Sequence, residues 1–300
     1  MLRKGTFILM KTKIQDMTSG SPGRLIILFA IPLMLGNICQ QLYTMVDPMV
    51  VGQVVGVEAL AALGAVDFLM WVVTGISTGL TQGFSIQLSQ YYGAKDFENL
   101  RKSLAHSYRL TAFIAAGVLI LSQSFASLVL TGLHTPSNII GMSLLYLRII
   151  FCGIPATAAY NMFASALRAM GNSKTPLTAM IIASVLNVSL DILFVAGFGW
   201  GVAGAAIATV IAQSFSAVYC FLILRRIDIV HLTRADFMPA SGMNARLMKL
   251  GIPVVFQNII IGVGGLVVQY VINGYGFLFV AGFTAVSYTH LRAHETVLDL

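Results

Sequence analysis

Charge is what this chain has least of. Only 10% of its 300 residues are Asp, Glu, Lys or Arg, where a soluble domain carries roughly a quarter. Cysteine is scarce as well: Cys39, Cys152 and Cys220 all fall inside apolar runs with no CxxC spacing. They read as small packing residues, and neither a metal site nor a disulfide framework is expected from them. The five histidines form no HxxxH or HExxH pattern, which leaves a histidine metal site without support. No phosphate-binding loop of the GxxxxGK[ST] type is present, so the chain is not expected to hydrolyse ATP. Gly262-Val263-Gly264-Gly265 lacks the strand and the acidic partner that a nucleotide loop needs.

What fills the chain instead is apolar sequence: 57% of residues are hydrophobic and mean hydropathy is +0.86. About 20 apolar residues span a bilayer as a helix. Seven stretches qualify, near 25–50, 62–89, 103–123, 148–168, 177–197, 201–224 and 247–272, with an eighth starting near Val280. Gly, Pro, Ser and Thr recur inside them, as membrane helices tolerate. The fold class expected is an all-α polytopic membrane protein.

The formal charge of +7 sits in alternate connections. Basic residues cluster before Leu25, around 95–109, at Arg168 and Lys174, and over 225–249, while the intervening loops near 52–60, 124–147 and 197–200 hold almost none. The positive-inside rule then places the N-terminus in the cytoplasm. Arg148 is the exception, expected at the outer mouth of the fourth helix. The basic start is not read as a cleavable signal peptide, because no small-residue cleavage site follows a short apolar core. Nucleic acid is not expected as a partner; the lipid bilayer is.

Arg24-Leu25 leads to Ile31-Pro32 and Asn37, and Arg246-Leu247 leads to Ile252-Pro253 and Asn258. Six helices lie between the two copies, so both enter from one side, as parallel repeats do. The organisation expected is a cytoplasmic segment 1–22, a six-helix lobe 23–224, a cytoplasmic linker 225–246 and the start of a second lobe over 247–285. The stretch VSYTHLRAHETVLDL turns from apolar to mixed charge where the eighth helix should build. It resembles translated adapter sequence, so 286–300 is expected to be a non-native tail and the second lobe to be truncated.

Two carboxylates stand out, Asp47 and Asp191, each inside a membrane-length apolar run. A carboxylate at that depth costs about 2.5–3.5 kcal/mol and persists mainly where it faces a bundle interior or carries an ion or proton. Asn37, Gln40, Tyr43, Thr44 and Asp47 recur at spacings of three and four, hence on one helix side. Such a polar stripe must face protein or water, and Pro32 and Pro48 flank it with a bend or a joint. Asn187 and Asp191 are four apart on one face, about 6 Å along the axis, with Ser184 on the same side. That set suits a hard cation such as Na⁺ or a carboxyl whose proton is tuned by burial. Thr74, Ser77, Thr78, Thr81 and Ser85 share a face that lines a passage or simply lets helices approach.

Several stretches together carry a resemblance: Ile31-Pro32, Gln41-Leu42-Tyr43, Val46-Asp47, Gln90-Tyr91-Tyr92-Gly93-Ala94-Lys95, Leu167-Arg168-Ala169-Met170-Gly171-Asn172, Leu186-Asn187 to Asp191, and Trp200-Gly201-Val202-Ala203-Gly204. From about 20 to 284 the chain resembles the MATE (multidrug and toxic compound extrusion) family of bacterial exporters. The resemblance implies twelve helices in two lobes, a central cleft, and alternating access driven by Na⁺ or H⁺. It implies that Asp47, Asn187 and Asp191 form the cation or proton site of the first lobe, with Asn161 and Thr209 as accessory ligands beside Ser184. It makes Pro32 a helix-bending residue and leaves Gln40, Tyr43, Thr44 and Thr78 to line the cleft.

The expected activity is an antiporter that exports amphiphilic or cationic xenobiotics, a monomer in the bacterial inner membrane that needs no cofactor beyond its coupling ion. A lipid-linked precursor flippase of the same superfamily is the alternative, and it calls for a more basic cleft. An intramembrane aspartyl protease, a third reading, needs a Gly-x-Gly-Asp aspartate, but Asp191 follows Val188-Ser189-Leu190. No enzyme is expected.

Overall fold

In the computed structural model the described residues run from Ser21 to Ser287, apart from the side chains of Pro22, Leu42 and Tyr43. The expected N-terminal segment and the expected tail lie, except for their last two and first two residues, outside them. Among the described residues there is no strand, and six helices are long and apolar enough to cross a membrane, or seven if one bent pair counts as a span. The fold is an all-α membrane bundle.

α1 runs Pro22–Val54 without a break at Pro32 or Pro48. Each ring removes one backbone donor, which leaves the carbonyls of Leu28 and Thr44 without their helical partners. Gly56 turns the chain at φ +118°, a conformation that L side chains rarely adopt. The second span, Val57–Gly93, starts earlier than its hydropathy implies. It is two helices, α2 (Val57–Gly64) and α3 (Asp67–Gly93), with Asp67 placing a carboxylate at the positive end of α3. α4 (Phe97–Gly132) is capped by Asp96, whose carboxylate accepts from the backbone N–H and the Nδ2 of Asn99 at 3.2 and 2.7 Å. Those bonds hold the Asp96 carboxyl below its ordinary pKa.

The fourth expected span differs most. It begins at Ile140, not 148, and is a pair, α5 (Ile140–Cys152) and α6 (Ile154–Ala169), bent by 47°. Pro155 supplies the break, since its ring cannot donate to the preceding turn. Arg148 therefore lies within α5 and not at a helix mouth; its backbone carbonyl accepts from Gln123 Nε2 at 2.8 Å. α7 (Lys174–Asp191) passes directly into a π-helical turn, Ile192–Gly197, and α8 spans Gly201–Leu224.

The connection after α8 is short 3₁₀ turns strapped onto α4. Asp236 accepts from the Thr233 backbone and hydroxyl at 2.7 and 2.8 Å and faces Arg101 at 3.8 Å. Buried His106 contacts Asn244 Oδ1 at 2.7 Å and the Met238 carbonyl at 3.0 Å. α9 (Met243–Asn273) then packs along α3, and α10 (Phe277–Val286) against α2.

No hydrophobic force separates helix from lipid, so these helices associate by close fit. Outward faces carry large apolar side chains such as Phe113, Ile120 and Leu128. Inward faces carry small ones. Gly75, Gly79 and Gly83 form a ridge on α3, and a Cβ on Gly79 would sit 2.8 Å from the Val255 backbone nitrogen of α9. Asn258 Nδ2 donates to the Gly75 carbonyl at 3.0 Å across the same seam.

Candidate functional site

α1 packs on α7, and α7 on α8. Where the three meet, Asp47, Asn187, Asp191 and Thr209 converge. Asp47 is 5% exposed, and Asn187 and Asp191 are 0% exposed, so the cluster is shielded from bulk water. Thr209 Oγ1 donates to Asp47 Oδ2 at 2.7 Å and accepts a long bond from Asn187 Nδ2 at 3.4 Å. Asp47 and Asp191 are near enough for the charge on one to act on the other. The helical period explains the arrangement: Asn187 and Asp191 sit one turn apart on the buried face of α7 and look across at the last turns of α1.

Four buried oxygens in this cluster, Asp47 Oδ1, Asn187 Oδ1 and both carboxylate oxygens of Asp191, have no hydrogen-bond partner. Neither carboxylate is in an ion pair with Lys, Arg or His among the described residues. Buried polar atoms normally find partners, so these orphaned oxygens make the cluster a candidate binding site. An all-oxygen set with two carboxylates suits a hard cation or a proton, not a thiophilic metal. Two like charges in a low-dielectric interior repel strongly, and a cation or proton between them removes that repulsion.

The structure brings other expected residues elsewhere. Asn161 Nδ2 donates to Thr78 Oγ1 at 3.1 Å, tying α6 to α3 rather than reaching the carboxylates. Ser184 Oγ donates to Met180 of its own helix at 2.8 Å, and Thr44 Oγ1 to the Gln41 carbonyl at 2.9 Å. Pro32 and Gln40 line a separate pocket between α1, α6 and α7. The side chain of Tyr43 is outside the described set. Of the serine and threonine face on α3, Thr74, Thr78 and Thr81 all donate back to α3 carbonyls. Sequence reasoning passed over Arg168 as a pocket residue and the π turn that follows Asp191. π turns cluster at functional sites.

The MatE family model matches residues 32–193, more than half of the chain. A probable multidrug resistance protein of Bacillus subtilis, YpnP, is 32% identical over 91% of this chain and 61% of its own length. The multidrug export protein MepA of Staphylococcus saprophyticus is 23% identical over 90% of the chain and 60% of its own length. A crystal structure of a MATE in complex with MaD3S superposes with a TM-score of 0.82 at 24% identity, over 96% of this chain and 65% of that one. The chain thus spans about 60% of the length of these curated relatives. With the bundle and its buried oxygen cluster, the family match makes this chain a member of the MatE family of membrane transporters.

Proposed function

We propose that this chain carries the ion-coupling half of a secondary antiporter, which exports amphiphilic or cationic xenobiotics in exchange for Na⁺ or H⁺ across a bacterial inner membrane, its N-terminus in the cytoplasm. The observation that carries the reading is the set of four unpartnered oxygens among Asp47, Asn187 and Asp191. The relatives, named as multidrug resistance and multidrug export proteins, support the cargo class.

The chemistry of coupling follows from placement. Asp47 sits on α1, and Asn187 and Asp191 on α7. A cation or proton held between the carboxylates draws α1 onto α7 and α8; its departure restores like-charge repulsion and loosens that contact. The carbonyls of Leu28 and Thr44, freed by Pro32 and Pro48, make α1 the helix that yields. A ligand that binds better to the loosened state is then coupled to the cation by a differential affinity, and the coupling is reciprocal.

The test is transport by the protein in sealed vesicles. An imposed Na⁺ or proton gradient should drive ethidium uphill, and the matching ionophore should stop it. Ethidium flux indifferent to both gradients would remove the antiport reading.

A further inference from the structure

A second feature of the bundle lies apart from the carboxylates. Between α1, α6 and α7 is a small cavity of about 40 Å³, room for a few waters or one small anion at roughly 10–15 Å³ per water. Arg168, in the last turn of α6, reaches into it half-buried. Its guanidinium makes one hydrogen bond, Nη2 to Ser165 Oγ at 3.2 Å, and no ion pair among the described residues. A guanidinium has five donors in a rigid fork and keeps its charge under all physiological conditions. A half-buried cation without a counterion in an apolar bundle is an open position for an anion.

The opposite wall supplies neutral donors. Asn37 and Gln40 of α1, one helical turn apart, line it with solvent-exposed side-chain amides. The remaining wall is apolar, with Leu33 from α1 and Leu177 and Met180 from α7. Beside the pocket on α1, Ile27, Ile31 and Leu35 are exposed apolar side chains. A phosphate offers more oxygens than a carboxylate to three separate donor groups, and its geometry fits the arginine fork. By the distribution of basic residues, this end of α6 is the cytoplasmic one.

We propose that the α1–α6–α7 pocket is a phosphate-binding site in which Arg168 supplies the charge and Asn37 and Gln40 the neutral hydrogen bonds. The phosphate is carried on an anionic lipid headgroup or is free in the cytoplasm. Nothing in this inference rests on the antiport reading: it concerns binding to different residues and is measured without any ion gradient.

The experiment titrates the purified chain, in a neutral detergent, with dihexanoyl phosphatidylglycerol, with dihexanoylglycerol, which lacks the phosphate, and with inorganic phosphate. The phosphatidylglycerol is expected to bind at least about tenfold more tightly than dihexanoylglycerol, and Arg168→Gln to erase that difference while Arg168→Lys keeps part of it. Leu177→Trp, which fills the pocket and leaves the charge in place, should block the same binding even if Arg168→Gln fails to fold. Competition by inorganic phosphate with equal affinity assigns the site to free phosphate; a clear advantage for the lipid assigns it to a headgroup. Equal binding with and without the phosphate group overturns the proposal, as does binding that Arg168→Gln and Leu177→Trp both leave unchanged.

Discussion

Asp47→Asn, and separately Asp191→Asn, is expected to cut gradient-driven export about 100-fold while leaving the protein folded in the membrane. Each substitution keeps the side-chain volume and removes one negative charge from a cluster that has no basic partner among the described residues. The lost interaction, a charged oxygen against a desolvated cation or proton, is worth about 2–3 kcal/mol, which sets that factor. Stability should move little or rise, because two repelling carboxylates become one. The two sites act on one bound ion, so the double variant should be no worse than either single one, a failure of additivity that independent packing roles would not give. Thr209→Val removes only a neutral hydroxyl that donates to Asp47 Oδ2 at 2.7 Å. Its cost should be nearer tenfold. The check is ethidium transport against an imposed gradient, with expression of each variant measured in the same vesicles.

Gly83→Leu is expected to be the most damaging single change to the bundle itself. A Cβ on Gly83 would run into the backbone of Gly251 and would lie 2.6 Å from the Leu250 carbonyl oxygen. Backbone cannot rotate away as a side chain can, so α3 and α9 must separate. Separation also breaks the 3.0 Å bond from Asn258 Nδ2 to the Gly75 carbonyl and leaves that half-buried amide donor unpaired. Overpacking of this kind costs about 3 kcal/mol, which should lower the apparent melting temperature in detergent by roughly 5–10 °C. Gly117→Leu is the control: it is also a mid-helix glycine, on α4, but has open space where its Cβ would go. If both variants melt alike, the α3–α9 seam is not what holds these helices together.

These two sites differ in how plainly the sequence announced them. Asp47 and Asp191 are legible because a charge in an apolar run is expensive, and expense signals use. Asn187 joins them through the helical period alone. Thr209 does not: a threonine in the alanine-rich α8 looks like packing, and only the family resemblance singled it out. Asn161, taken from the same resemblance, sits on Thr78 instead. Hydropathy counted the spans but missed their breaks, because the hinge at α5–α6, the step at Ala65–Val66 and the π turn after Asp191 change backbone geometry without changing how apolar the chain is. Pro155 was a visible sign of the first. The Gly75-x₃-Gly79-x₃-Gly83 spacing is equally visible as a close-packing ridge, interleaved with the serine and threonine face of α3. Arg168 read as one more basic loop residue, since nothing in one dimension shows that Asn37 and Gln40 lie across from it.

Cation binding at equilibrium tests the central claim most directly. The purified chain would be titrated with ²²Na⁺ and, in parallel, proton uptake would be recorded on a pH jump, for the wild type and for Asp47→Asn and Asp191→Asn. The expected result is saturable uptake of Na⁺ or of protons that either substitution abolishes and that Arg168→Gln leaves in place. Uptake that is identical in wild type and both aspartate variants would show that the buried oxygen cluster holds no coupling ion.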